Sequence, residues 1–246
     1  MILILTYHRI EENVGAVKRF FDVSAKEFDE HLRRAKDAWG NNTSPRMLQS
    51  PIPERTGFLI TFDDGTTDHF TTAAPILERN GLTGVFFVNT DLVGKDGYLS
   101  LSQCRELVAR GHSVESHSHE HKSLINFPSD ESRWQLTESR SQLKEWGLGQ
   151  WDLLAPPGGY FDAVLMQTAK SCGYSGLRTL EWGYNRNVNA FRLQSITINQ
   201  KTTGKWFNSL ISPRFESAKC LFYRCKETVK ERLPVLYSRM RYSRGT

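Results

Sequence analysis

Asp63 and Asp64 stand side by side, directly after an apolar run and directly before Gly65. Adjacent acids in that position can be no more than a helix N-cap. They can also serve two roles at once. Successive residues of an extended chain point opposite ways, so one carboxylate can face a metal ion and the other a water. Gly65 permits the sharp exit that would expose both. Further along, His117 and His121 are spaced i, i+4, close enough to share a cation if the chain turns helically there. A histidine pair taken alone is more often surface or core than ligand.

The elements around these residues sharpen the reading. Four strand-like runs each end in a cluster of this kind: Ile2 to Thr6 at Tyr7-His8, Phe58 to Phe62 at Asp63-Asp64-Gly65, His112 to Ser116 at His117 through His121, and Trp151 to Ala155 at Pro156-Pro157-Gly158-Gly159. Between them lie amphipathic stretches that read as helices. Ser24 with Glu27 forms a capping box opening a helix through about Trp39. Helices are also expected over about Thr72 to Asn80, from Ser100 or Ser102 to Arg110, over Ser129 to Trp146 and over Phe161 to Cys172. Gly176 to Ile198 reads mainly as strands and loops, and the last forty residues read as helical up to Pro234. Strand alternating with helix argues an α/β fold with a parallel sheet, open or closed into a barrel. In (β/α) barrels the reactive groups gather at the C-terminal ends of several strands, which is where all four clusters fall. Of the other histidines, His119 is expected at solvent or behind the ligands, and His112 and His69 are expected to be structural. His31 is expected on the exposed face of its helix.

With 246 residues and 39% hydrophobic content the chain can bury a sizeable core, and barrels of this length commonly form one domain. One domain over residues 1–246 is therefore expected, with a basic helical extension over about 214–246. From Lys219 onward eight Lys and Arg face only Glu227 and Glu231, against a net charge of +5 for the whole chain. Such an end suits a solvated helix or peripheral contact with an anionic membrane. No basic-aromatic pattern supports nucleic acid as a partner. The four cysteines form no C-x-x-C pair, so neither a zinc ribbon nor a dithiol redox site is indicated. The apolar start is too short for a signal peptide, and a cytoplasmic location with reduced thiols is the expectation.

Thr61-Phe62-Asp63-Asp64-Gly65, then Gly111 through His121, then Ala155-Pro156-Pro157-Gly158-Gly159 resemble successive motifs of the polysaccharide deacetylases, the carbohydrate esterase family four or NodB-homology group. The resemblance spans Thr61 to Gly159 and implies a distorted (β/α) barrel. It also implies roles by position. Asp63 would be the general base. Asp64, His117 and His121 would hold one divalent metal, usually zinc, with cobalt, nickel or manganese as alternatives. Ser118 would brace the site, and Gly158, with Pro157 beside it, would lie where the family binds the oxyanion and substrate.

Two positions depart from the family pattern. The third motif normally opens with an arginine that orients the general base, and this chain has Ala155 there. The family's last motif supplies a histidine as general acid, and no histidine follows His121. One exopolysaccharide-type branch has a permuted motif order and takes the acid from a Tyr-His near the N-terminus, an arrangement that Tyr7-His8 matches. The resemblance therefore implies a hydrolase that removes N-acetyl or another small acyl group from an amino sugar of a cell-surface polysaccharide or its precursor, with His8 as the acid. A deformylase or O-deacetylase could use the same residues, and an inactive glycan-binding barrel is the rival that Ala155 favours. The sequence does not specify an oligomeric state.

Overall fold

A computed structural model describes residues 1–13, 19–40, 42, 44, 45, 57–186 and 188–212. The basic extension expected over 214–246 lies outside the described residues. Seven strands form one parallel sheet: β1 (Ile2–Tyr7), β4 (Gly57–Phe62), β5 (Val85–Val88), β6 (Ser113–Ser116), β7 (Leu153–Leu154), β8 (Gly176–Leu177) and β9 (Ile196–Thr197), in the order β8-β7-β6-β5-β4-β1-β9. The helices α1 (Ala25–Trp39), α2 (Ala74–Arg79), α3 (Leu101–Ala109), α4 (Ser129–Glu145), α5 (Ala163–Ser171) and α6 (Gly204–Ile211) flank it. β1 and β4 are buried along their whole length, as strands covered on both faces must be.

The sheet curls into a half-barrel, the distorted (β/α) architecture expected from the sequence. Its two edges approach one another. Arg178, just past β8, forms a parallel bridge with Leu193, and the chain runs on from Leu193 into β9, which pairs with β1. Alternate strand residues sort to two faces. Ile2, Ile4, Leu59, Val85, Phe87, Leu153, Ala155 and Leu193 form one apolar cluster inside the curl. Their neighbours Leu3, Leu5, Phe58, Ile60, Phe86 and Val88 pack in the larger outer core with the helices. This period-two sorting determines which residues beyond each strand end face the interior.

The helix termini follow local chemistry. Ser24 caps α1 by accepting the Glu27 N–H at 3.3 Å while its hydroxyl donates to the Glu27 carboxylate at 2.9 Å. At α3 the box is reciprocal: Ser100 Oγ accepts the Gln103 N–H, and the Gln103 side chain accepts the Ser100 N–H. The helix expected over about Thr72 to Asn80 begins earlier, as a π-helical turn over His69–Ala73 that continues into α2.

Two expectations are corrected. His31 is buried rather than surface: it belongs to the stripe Phe28, His31, Leu32, Ala35 and Trp39 that α1 turns to the core. There it stacks on Phe207 at 3.8 Å, and its Nδ1 lies 3.3 Å from the Tyr7 hydroxyl. Second, the stretch between the first strand and the Ser24 cap, where no strand was expected, contains a small parallel ladder, β2 (Arg9–Glu11) with β3 (Asp22–Ser24).

Candidate active site

Extending the inward-facing alternation past each strand end gives His8 after β1, Asp63 after β4, His117 after β6 and Arg178 after β8. The structure brings these four together at one rim. Backbone bonds between neighbouring strand ends set their relative height: Asp63 N–H donates to Tyr7 at 3.0 Å, His117 N–H to Val88 at 2.8 Å, Ala155 N–H to Ser116 at 2.9 Å, and Arg178 N–H to Leu154 at 2.8 Å.

Asp64, His117 and His121 offer one ligand atom each within 4.8 Å of one another. Nε2 of His117 lies 3.4 Å from Asp64 Oδ1, and Nε2 of His121 lies 3.1 Å from the same oxygen. His117 Nδ1 donates to the Ala155 carbonyl at 2.7 Å, which points Nε2 at the carboxylate, as a proton donor to it or, once deprotonated, as a lone pair for a cation. One carboxylate and two imidazoles converging in this way fit a borderline divalent cation such as zinc, with coordination positions to spare. Hydrogen bonds to His117 and His121 outweigh burial and hold the Asp64 carboxyl well below the usual carboxylate range. The hydrogen bond to Asp64 raises His121.

The backbone is unusual at and beside these candidate ligands. Asp64 has φ 77° and Ser118 φ 72°, two of the three non-glycine residues in left-handed conformations among the described residues. Such conformations persist where the surroundings over-determine them. Around Ser118 they do: Ser116 Oγ accepts its N–H at 3.1 Å, and Ser116 is itself held by Ser139 at 2.8 Å and by the Tyr174 hydroxyl at 2.9 Å. The bracing hydroxyl seen here is that of Ser116. Ser118 Oγ is buried without a hydrogen-bond partner.

Asp63 is buried, and its Oδ1 accepts from the Arg178 guanidinium. Arg178 is 1% exposed and lies over the Phe87 ring, 5.3 Å from its centroid. Burial alone would raise the Asp63 carboxyl, but the charge of Arg178, followed by those of His117 and His8, keeps it below its ordinary value. Position 155 is alanine, so the sequence offers no arginine there to orient the expected general base. The sheet register pairs Leu154 with Leu177, so Arg178 stands beside Ala155, one strand over at the same height. The small Ala155 side chain lies in the interior cluster next to it. Sequence reasoning missed Arg178 because β8 is only two residues long. The available signal was the rule that found the other clusters, a reactive side chain directly after a strand.

Asp63 Oδ2 faces His8 Nε2 at 4.0 Å. Burial lowers the His8 pKa, against the opposing pull of Asp63 and Asp64. The His8 carbonyl accepts from His69 Nε2, so His69 supports the site from beneath, in keeping with the structural role expected for it. His112 is also structural: its Nδ1 accepts the Gly84 N–H at 3.0 Å, and its Nε2 lies 3.0 Å from Glu78. His119 sits behind the ligands, 2.9 Å from the Thr90 hydroxyl and edge-on to Trp134.

Pro157 is buried in the short turn Pro157–Gly159 that follows β7, next to the Ala155 carbonyl that holds His117. Gly158 has φ 68°, and a Cβ there would lie 2.9 Å from the Tyr160 ring, so the turn requires glycine. Gly158 lines a cavity of about 570 Å³ with Ile125, Tyr160, Met166 and Leu180. Asp64 and His121 line a separate cavity of about 370 Å³ with Arg9, Arg19 and Tyr98. Among the described residues no helix is long and apolar enough to cross a membrane.

Comparison with known proteins gives the family. The chain is similar to YxkH of Bacillus subtilis, itself a candidate polysaccharide deacetylase, with 25% identity over 214 residues, 85% of this chain and 75% of that protein. It is 25% identical over 129 residues to a peptidoglycan-N-acetylglucosamine deacetylase of Bacillus cereus, a match covering 52% of this chain and 57% of that protein. Among solved structures it is similar to the Streptococcus pyogenes deacetylase PplD in complex with acetate, with TM-score 0.76 and 25% identity, covering 86% of this chain and 98% of that one. The polysaccharide deacetylase family model matches residues 52–177, about half the chain, and its last matched residue is the one before Arg178. The chain belongs to the polysaccharide deacetylase family.

Proposed function

We propose that the protein is a metal-dependent hydrolase that removes an N-acetyl group from an amino sugar of a cell-surface polysaccharide or its precursor. The observation that carries this reading is the convergence of Asp64, His117 and His121 beside an Asp63 whose two oxygens are differently engaged. Asp64, His117 and His121 would hold a divalent ion, zinc by donor chemistry, which would supply Lewis acidity for a carbonyl oxygen and for the attacking water.

The rest is done by the chain's own residues. Asp63 accepts the proton of the attacking water through Oδ2, while Arg178 holds Oδ1 and keeps the carboxylate ionised and oriented. His8 protonates the leaving nitrogen, a role supported by its place facing the base. The family resemblance puts the oxyanion donor at Gly158, whose N–H on the turn after Pro157 would serve the oxygen that becomes negative as the acyl carbon turns tetrahedral. An inactive barrel is less well supported, because Arg178 supplies the guanidinium that Ala155 cannot and His8 supplies an imidazole.

Acetate release from N-acetylhexosamine oligomers tests the reading, using protein stripped of metal and then reloaded with zinc, cobalt, nickel or manganese. Release that depends on the added metal is expected. Glycan binding without release under every metal would sink the proposal, and formate release or release from O-acetyl sugars alone would redirect it to those bonds.

A further inference from the structure

An imidazole that delivers a proton in a fixed direction is ordinarily held by a hydrogen bond on its other nitrogen, which sets ring orientation and tautomer. His8 lacks that bond. Its Nδ1 is buried with no hydrogen-bond partner among the described residues, while Nε2 faces Asp63. The bond from His69 to the His8 carbonyl fixes the backbone but leaves the ring free to turn about its side-chain torsions.

The Phe21 ring lies on the imidazole, with centroids 4.6 Å apart and planes 20° from parallel. The small ladder explains how it arrives there. Arg9 pairs with Asp22, Ile10 with Val23 and Glu11 with Ser24, so the residues one step earlier, His8 and Phe21, are brought alongside. The ladder is tied at both ends. Ile10 N–H donates to Asp68 at 2.8 Å, and Asp22 accepts the Arg19 N–H at 2.8 Å. Phe20 packs edge-on against Phe21 at 5.0 Å, and its carbonyl accepts the Gln200 N–H at 3.1 Å. Phe21 itself is 40% exposed, so core packing does not account for a large apolar ring at this position.

We infer that Phe21 is a positioning residue for His8: its stacked ring, carried on the β2–β3 ladder, holds the imidazole plane in place of a hydrogen bond at Nδ1. This rests on the reading of His8 as general acid. It goes beyond that reading in assigning the orienting group to an aromatic face rather than a carboxylate. Phe21 acts only through His8, and the proton still travels from His8 to the leaving nitrogen.

The test uses the full chain loaded with zinc and compares Phe21→Ala, Phe21→Leu and Phe21→Tyr, each alone and combined with His8→Ala. Substrates are an N-acetylhexosamine oligomer and an activated aryl acetate, whose leaving group departs with little help from a proton. Phe21→Ala is expected to lower kcat on the amide by about two- to tenfold, the range an aromatic pair's coupling spans. KM and metal content should hold, and the loss on the aryl ester should be smaller. Phe21→Tyr should restore the amide rate and Phe21→Leu should not. In the His8→Ala background the Phe21→Ala change should cost nothing further. Crystal structures should show the His8 ring in one orientation in wild type and Phe21→Tyr, and turned in Phe21→Ala. Equal losses on amide and ester, a full additional loss in the His8→Ala background, or an unmoved imidazole in Phe21→Ala would overturn the inference. Unchanged amide turnover in His8→Ala would instead overturn the acid assignment beneath it.

Discussion

Arg178 reaches Asp63 although their strands, β8 and β4, are separated in the sheet by β7, β6 and β5. Four strand spacings in a flat sheet would part them by roughly 19 Å. Only the curl of the sheet closes that gap, so this buried pair reports directly on barrel curvature and on the state of the proposed base.

Replacing Arg178 with Met should leave the Asp63 carboxylate buried without its counter-charge. Removing one partner of a buried pair costs about 3–5 kcal/mol, and chemical denaturation should register a loss of that order. In folded Arg178→Met protein the Asp63 carboxyl should rise. The acid limb of the kcat/KM profile should then move to higher pH, because the base must be ionised to act. Adding Asp63→Asn should recover much of the stability. Unchanged stability in the single variant would refute the pairing.

Metal analysis should separate ligands from base. His117→Ala, His121→Ala and Asp64→Ala should each lose stoichiometric binding of one divalent ion. Asp63→Asn should retain it and lose most turnover, as its proposed part is proton acceptance. Full occupancy in the two histidine variants would remove them from the ligand set.

His8→Ala should retain the metal and cut amide turnover by about a hundred- to ten-thousand-fold, the usual contribution of general acid–base catalysis. The deficit should shrink on activated aryl esters. A uniform deficit across leaving groups would point away from proton donation.

Burial in the stack with Phe207 and Tyr7 lowers His31 to about 4. The unfolded chain takes up this proton near 6.5, so between about pH 6.5 and 4 the unfolded state binds the extra proton. Stability should therefore be full above about 6.5 and fall as the pH drops toward 4, by up to roughly 3 kcal/mol from this group. Thermal unfolding across that range should show a shallower pH dependence in His31→Phe than in wild type. Parallel slopes would place the effect elsewhere.

The sequence by itself determined a good deal. Short continuous apolar runs, with Ser24 and either Ser100 or Ser102 as caps, specified the alternation of strands and helices, because those signals act through bonds only a few residues long. Strand-end position also nominated Asp63, Asp64, His117, His121 and His8, since a parallel barrel delivers strand ends to one rim. Two things needed the tertiary structure. His31 has a polar side chain whose burial depends on what α6 and β1 bring against α1. Arg178 follows a strand too short to announce itself, and its partner is 115 residues earlier. Local propensity carries no information about sheet curvature or about which strand stands beside Ala155. Those follow from register and closure, which the whole packed chain sets at once.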